Sequence, residues 1–146
     1  MFSLLPLFLR GPLAYGLCFT VTTLIGFRTS PASVIALMTL CLGDGMAETV
    51  GRAIGSSNRL PSPPFCGQKS AAGMLAMIVA SVVASIVYLI YFHRLGFIAM
   101  QIWTVGAVTR LVAVCVAAAV VEAMTHSEWD NVYVCAAAWI GAKMVF

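Results

Sequence analysis

Long apolar runs separated by short polar segments dominate the pattern along this chain of 146 residues. The clearest run covers residues 70–92, which is long enough for an α-helix to cross a bilayer core of about 30 Å. Its small residues favour close packing against neighbouring helices. Further apolar runs cover residues 13–27, 32–43, 104–124 and 132–146. The pattern therefore predicts an all-α polytopic membrane bundle with about five transmembrane segments.

The second run, 32–43, is only about a dozen residues long and is short for a span on its own. Two interpretations stay open for it. It continues through "DGMAETVGRAIG" as one longer helix with a polar end, or it breaks at Gly43-Asp44-Gly45. Residues 56–68 have the Ser, Asn, Pro and Gly content of a loop, and residues 93–103 form a predicted turn with an interfacial Trp103.

Composition agrees with a membrane protein. Apolar residues make up 62% of the chain, charged residues only 9%, and the mean hydropathy is +1.01, whereas a soluble domain carries roughly a quarter charged residues. The length allows one compact bundle, so residues 1–146 are predicted to form a single domain. The net charge is +3, but the cations are spread along the chain, which indicates no nucleic-acid binding. The five cysteines show no metal-binding spacing and are predicted to be reduced and packed.

Counting membrane crossings brings the acidic residues together. If each apolar run crosses once, segments 44–70 and 122–131 lie on one face and the turn 93–103 lies on the other. The first face then holds all five acidic residues of the chain and three cations. Ionisable groups near membrane spans are costly and mark functional sites. We therefore expect a site on this face, with its carboxylates at Asp44, Glu48, Glu122, Glu128 and Asp130.

The spacing of Asp44, Glu48 and Arg52 places them on a single helix stripe. Two carboxylates suit Mg²⁺, which proteins hold through one or two carboxylates and substrate phosphates, while Arg52, Arg59 and Lys69 suit the phosphates themselves. This combination is typical of phosphoryl transfer. Glu48–Arg52 would otherwise be an ordinary ion pair of a few tenths of a kcal/mol, but the second acidic cluster favours a site.

Glycines 43, 45, 51 and 55 are expected to keep this region free of side-chain bulk, so that a ligand can approach the backbone. The phosphate-binding loop motif is absent, because Gln68 stands where "CGQKSAAG" would need a glycine.

The segments "GDGMAETVGRAIG…RLP…QKSAAGM" and "RLVAVCVAAAVVEAMTHSEWDNVYV" resemble the two signature regions of the plant-type phytol kinase family. This is a family of CTP-dependent polyprenol kinases that includes farnesol kinase. The similarity covers nearly the whole chain in order, and the chain resembles the C-terminal half of a family member. Glu48 departs from the family form, in which Asp is usual, and Trp129 replaces the first Asp of the second region.

The resemblance implies transfer of a phosphoryl group from CTP to an isoprenoid alcohol, with phytol as the first candidate. It implies a chloroplast membrane as the setting, and phytol salvage and tocopherol precursor supply as the purpose. Carried over by motif, Asp44 and Glu48 would bind Mg²⁺–CTP, and Asp130 or Glu122 would orient or deprotonate the alcohol. Four further motif residues would hold the nucleotide: Arg52, Arg59, Lys69 and Asn131.

Three alternatives stay open. Farnesol, geranylgeraniol or dolichol could replace phytol as the acceptor. The chain could be a non-catalytic membrane subunit or fragment whose polar motifs form only packing salt bridges. It could also be a transporter, although its predicted charges cluster at one face and are not distributed across the bilayer.

Overall fold

The described part of the chain folds into six α-helices. The computed structural model describes residues 5–62, 64–65, 68–99, 104–125 and 129–146, with side chains from residue 11 onward. In these ranges the α-helices are joined by loops and two short helical turns, and no named strand is present. The elements are α1 (Leu5–Gly26), α2 (Pro31–Met38), a π-helical turn (Thr39–Gly43), α3 (Asp44–Ile54), a 3₁₀ turn (Gly55–Ser57), α4 (Ala71–Arg94), α5 (Val105–Met124) and α6 (Asp130–Val145).

The predicted all-α membrane bundle is confirmed. Three continuous helical stretches are long and apolar enough to cross a membrane: Pro31–Ser57, Ala71–Arg94 and Val105–Met124. The first apolar run forms the shorter apolar helix Gly11–Gly26, which is part of α1, and the last run forms α6. Trp103 and Glu128 lie outside the described residues.

The second apolar run continues as one long helix and does not break at Gly43-Asp44-Gly45. Pro31 occupies the first turn, where its missing N–H is harmless. The helix then widens into the π-helical turn, in which the Asp44 N–H donates to the Thr39 carbonyl five residues earlier. It resumes as α3 without a break, so the interpretation of a longer helix with a polar end is correct.

Helix α2 is the centre of the bundle. Its residues from Ala32 to Met38 are all buried, and it packs against α1, α4 and α6. A helix that is apolar on every side is stable only when neighbours surround it, and the sequence "ASVIALM" meets that requirement. Residues from the other helices complete the core, and the largest fully buried apolar side chains are Ile35, Leu37, Leu40, Met77, Leu89 and Leu111.

Small residues let α3 approach α4 closely. Gly43, Ala47, Gly51 and Gly55 recur at every fourth position, which forms one stripe along the helix. A Cβ at Gly55 would lie 2.6 Å from Ser70 Oγ, and one at Gly43 would clash with Ser81 Oγ. Three of the four glycines predicted to make room for a ligand therefore approach α4 or its cap Ser70, and two of them, Gly51 and Gly55, also line the cavity described below. Gly45 has no atom within 4 Å of its Cβ position.

Replacing Gly73 by alanine is expected to lower the unfolding free energy by about 1–3 kcal/mol, the usual cost of overpacking. The added Cβ would lie 2.8 Å from the backbone carbonyl oxygen of Ala47, which cannot rotate away. Thermal unfolding of the purified protein in detergent measures the effect. Gly45→Ala is the matched control, because its Cβ meets open space and alanine is the better helix former. Equal midpoints for the two variants would contradict close α3–α4 packing.

Candidate active site

A cavity of about 570 Å³ opens at one end of the bundle. Helix α3, the segment leading into α4, the end of α5 and the start of α6 form its walls. This is the meeting of segments 44–70 and 122–131 that counting membrane crossings predicts. Apart from Glu128, which lies outside the described residues, every site residue predicted from the sequence lines the cavity, namely Asp44, Glu48, Arg52, Arg59, Lys69, Glu122, Asp130 and Asn131.

Helix α3 contributes a polar stripe that adjoins its small-residue stripe. Glu48 accepts a hydrogen bond from the Arg52 guanidinium, and both side chains are largely exposed, at 60% and 80%. The pair therefore lies at the open rim, where an ion pair contributes little to stability. Asp44, one turn before Glu48, is only partly exposed and lies deeper in the wall.

Lys69 connects the two predicted motifs. Its ammonium donates to the Glu122 carboxylate, and its Nζ lies 3.7 Å from Asp130 Oδ2. Glu122 is 4% exposed, and a carboxylate buried so deeply requires a partner. Burial alone would lower the pKa of Lys69, but the adjacent carboxylates of Glu122, Asp130 and Asp44 outweigh it and raise the pKa above the ordinary lysine value. Lys69 is therefore a cation at neutral pH and links the ends of α5 and α6 to α4.

Backbone hydrogen bonds hold Lys69 in place. The Leu60 N–H donates to the Lys69 carbonyl at 2.9 Å, and the Ala71 N–H donates to the Asn58 carbonyl at 2.9 Å. Between these bonds, Arg59 and Ser70 form an isolated antiparallel bridge. The two ends of the loop between α3 and α4 are thus held together. As a result, Arg59 and Lys69 reach the cavity from the two paired ends of that loop.

The N-terminus of α4 is already capped. Ser70 Oγ accepts from the Gly73 N–H at 3.1 Å, and the Asn58 side chain accepts from the Ala72 N–H at 3.5 Å. Ser at the position before a helix is a recognisable cap signal, so Ser70 could have been found from the sequence. Asn58 could not, because it lies 14 residues from the N–H it caps. The first N–H groups of α4 therefore already have partners within the chain.

The charges of the described cavity lining do not balance. Four carboxylates, Asp44, Glu48, Glu122 and Asp130, face three cations. Glu48 pairs with Arg52, and Lys69 serves both Glu122 and Asp130, whereas no described residue forms an ion pair with Asp44. The charges of Glu122, Asp130 and Lys69 act on the Asp44 carboxylate through space. A partly buried carboxylate without a cation partner is a fitting ligand for a metal ion.

The donor set suits Mg²⁺ brought in with a nucleotide. No group of three or more His, Cys, Asp or Glu side chains in the described ranges could enclose a metal ion. Mg²⁺ does not need such an enclosure, since it commonly takes one or two carboxylates and completes its shell with phosphate oxygens and water. Asp44, with Glu48 one turn away, offers that arrangement.

Comparison with known proteins confirms the resemblance seen in the motifs. The chain is 39% identical over 141 residues to probable phytol kinase 2 of Oryza sativa subsp. japonica, which covers 94% of the chain and 44% of that protein. It is 36% identical over 140 residues to probable phytol kinase 2 of Glycine max, covering 94% and 46%. It is 34% identical over 119 residues to the farnesol kinase of Arabidopsis thaliana, covering 82% and 36%. All three names carry the description chloroplastic.

The chain spans less than half the length of these curated relatives. This agrees with the prediction that it resembles one half of a family member. No protein-family model and no solved structure matches the chain.

Proposed function

We propose, with similarity to the phytol and farnesol kinases as the premise, that this chain transfers a phosphoryl group from CTP to an isoprenoid alcohol. Phytol is the first candidate acceptor, and a chloroplast membrane is the setting. The observation that carries the proposal is the contact of Lys69 in the first motif with Glu122 and Asp130 in the second. An isoprenoid alcohol dissolves in the bilayer, so its hydroxyl must meet a charged nucleotide at the membrane surface, and the cavity opens at the end of an apolar bundle.

The nucleotide phosphates would be held by the cations of the cavity. Arg52 and Arg59 are exposed and can present planar guanidinium groups to phosphate oxygens. Asn131 adds an amide donor at the start of α6. Mg²⁺, held by Asp44 and Glu48, would supply positive charge to the phosphates when bound. Positioning and charge neutralisation are the main catalytic contributions in phosphoryl transfer.

Asp130 is better suited than Glu122 to act on the alcohol. The Glu122 carboxylate is buried and engaged by Lys69, whereas Asp130 is partly exposed to the cavity. Asp130 would accept the hydroxyl proton as the alcohol oxygen bonds to the γ-phosphorus and the bond to the β–γ bridging oxygen breaks. The products are an alkyl phosphate and CDP. Lys69, 3.7 Å from Asp130, would hold that carboxylate in position beside the alcohol.

The direct test is transfer of label from γ-³²P-CTP to phytol by membranes that contain this chain. ATP as donor, and farnesol and geranylgeraniol as acceptors, would be run alongside. Label on phytol that requires CTP supports the full proposal. Preference for ATP or for another alcohol would correct the donor or the acceptor. No transfer under any condition would contradict catalysis by this chain and favour a non-catalytic fragment. This outcome is worth testing because the chain spans less than half the length of its relatives.

Replacing Arg52 or Arg59 by glutamine is expected to raise the KM for CTP about tenfold with little change in kcat. Each loses a charge-assisted hydrogen bond to phosphate, worth about 1.5–3 kcal/mol. Initial rates at varied CTP concentration measure the effect. Arg94→Gln is the matched control, because Arg94 is also exposed but ends α4 at the other end of the bundle. A tenfold rise in KM for Arg94→Gln as well would contradict this assignment.

A further inference from the structure

The end of the bundle opposite the cavity carries a second group of charges, all positive. Arg28 follows α1, Arg94 ends α4, Arg110 lies near the start of α5, and Lys143 lies in the last turn of α6. The helices alternate in direction, so these four positions meet at one end. All four side chains are exposed. We call this group the cationic end.

Aromatic rings lie beside these cations. The Phe92 ring contacts the rings of Phe27, Tyr91 and Phe97 with centroids 5.3–6.4 Å apart. The Arg28 guanidinium lies 4.7 Å from the Phe97 centroid, and Lys143 Nζ lies 5.7 Å from that of Trp139. Aromatic belts and flanking cations are typical of the headgroup level of a membrane. This end of the bundle therefore has the chemistry of a lipid–water interface.

No Asp or Glu side chain among the described residues lies at the cationic end. The four described Asp and Glu side chains all line the cavity at the other end. Within the described ranges, none of the four cations forms an ion pair. Arg110 donates to the Val145 carbonyl at 3.2 Å, and His93 Nδ1 contacts the Ile98 carbonyl at 2.7 Å. In both contacts the partner is a neutral backbone carbonyl, so neither brings a negative charge to this end.

An apolar depression adjoins this end. It has a volume of about 360 Å³ and is lined by Val87, Tyr88 and Tyr91. Tyr91 lies one turn before Arg94 and, like it, is exposed. A cation at the headgroup level beside an apolar depression suits a molecule with an anionic head and a hydrocarbon tail. A soluble phosphate would use the cations but would gain nothing from the depression.

We propose that the cationic end is a docking surface for anionic phospholipids of one leaflet, with phosphate headgroups on the four cations. One acyl chain lies in the depression lined by Val87, Tyr88 and Tyr91. Each Lys or Arg near an anionic surface strengthens membrane interaction by about fivefold. The proposal does not depend on the catalytic function and applies equally to a non-catalytic chain.

The test compares thermal unfolding in nanodiscs of phosphatidylcholine with nanodiscs of increasing phosphatidylglycerol content. Anionic lipid is expected to raise the unfolding midpoint of the unchanged protein. It should do so equally for the charge-retaining variant R28K/R94K/R110K/K143R. The neutral variant R28Q/R94Q/R110Q/K143Q should lose the response. Helix content in phosphatidylcholine, measured by circular dichroism, checks its folding; should it fail to fold, the pairs R28Q/R94Q and R110Q/K143Q are used, each with a reduced response expected.

The location and the ligand are tested separately. R52Q/R59Q removes two cations from the cavity end and should keep the full response to phosphatidylglycerol. Soluble glycerol phosphate should not reproduce or compete with that response. The proposal is overturned if phosphatidylglycerol has no effect on the unchanged protein, if the neutral variant responds as strongly, or if R52Q/R59Q alone abolishes the response.

Discussion

Replacing Asp44 by asparagine is expected to reduce phosphoryl transfer by about a hundredfold or more and to leave the fold intact. Asparagine has the same shape but lacks the charge that would hold Mg²⁺ against the phosphates, and metal stabilisation of that kind contributes several kcal/mol. Asp44 is the cavity carboxylate that pairs with no described cation. The nearby charges of Glu122, Asp130 and Glu48 repel its own, and together with its burial they outweigh the attraction of Lys69. Removing its charge should therefore keep or raise the thermal unfolding midpoint.

The two readouts separate a catalytic role from a structural one. The matched control is Thr49→Ala on the same helix, because Thr49 is exposed, bonds only to the Gly45 carbonyl in the described structure, and does not line the cavity. It should retain full transfer. An Asp44→Asn protein that transfers phosphate at an undiminished rate would remove Asp44 from the metal site. An inactive protein with a strongly lowered midpoint would instead indicate that Asp44 supports the fold.

Replacing Lys69 by methionine is expected to lower the unfolding free energy by about 3 kcal/mol. Methionine fills much of the same space, but it leaves the buried Glu122 carboxylate without its cation. Breaking a buried ion pair by removing one partner typically costs about 3–5 kcal/mol, and the lower value applies here because Lys69 is 29% exposed. Unfolding followed by circular dichroism in detergent measures the change.

A double-mutant cycle provides the control. Lys69→Met combined with Glu122→Gln removes both charges, so most of the lost stability should return. If the two losses simply add, the pair does not act as a unit and the account is wrong. The pKa of Lys69 is raised in the fold, so the stability it contributes is fully present below the ordinary lysine value of 10.5 and is lost as pH rises beyond it. The unchanged protein should therefore show no loss from this pair at neutral pH.

The arrangement of the cavity could be predicted because it depends on topology. Apolar runs of spanning length dictate which polar segments share a face, so counting crossings brought Asp44 and Lys69 together with Glu122 and Asp130, as the structure has them. The motif resemblance pointed to the same residues independently. Their roles in binding and catalysis remain predictions.

The internal geometry of the site could not be predicted. A partnership such as that of Asn58 with the first turn of α4 depends on the path of the loop. The glycines in and next to α3 can face either a neighbouring helix or open space, and only packing decides that Gly43 faces Ser81 while Gly45 faces open space. Hydropathy also could not decide whether the helix would break before Asp44. A π-helical turn leaves no signal in apolar periodicity, because the residues it contains, "TLCLG", suit an α-helix equally well.

That π-helical turn changes the rotation of α3 about the helix axis relative to α2. Each residue in an α-helix turns the chain by about 100°, so one additional residue per turn rotates everything beyond it by that amount relative to an uninterrupted helix. Helix α2 is buried on all sides and is indifferent to rotation. The rotation of α3 does matter, because its small-residue stripe must face α4 while its polar stripe faces the cavity. The five residues Thr39–Gly43, which precede Asp44, therefore determine that its side chain faces the cavity.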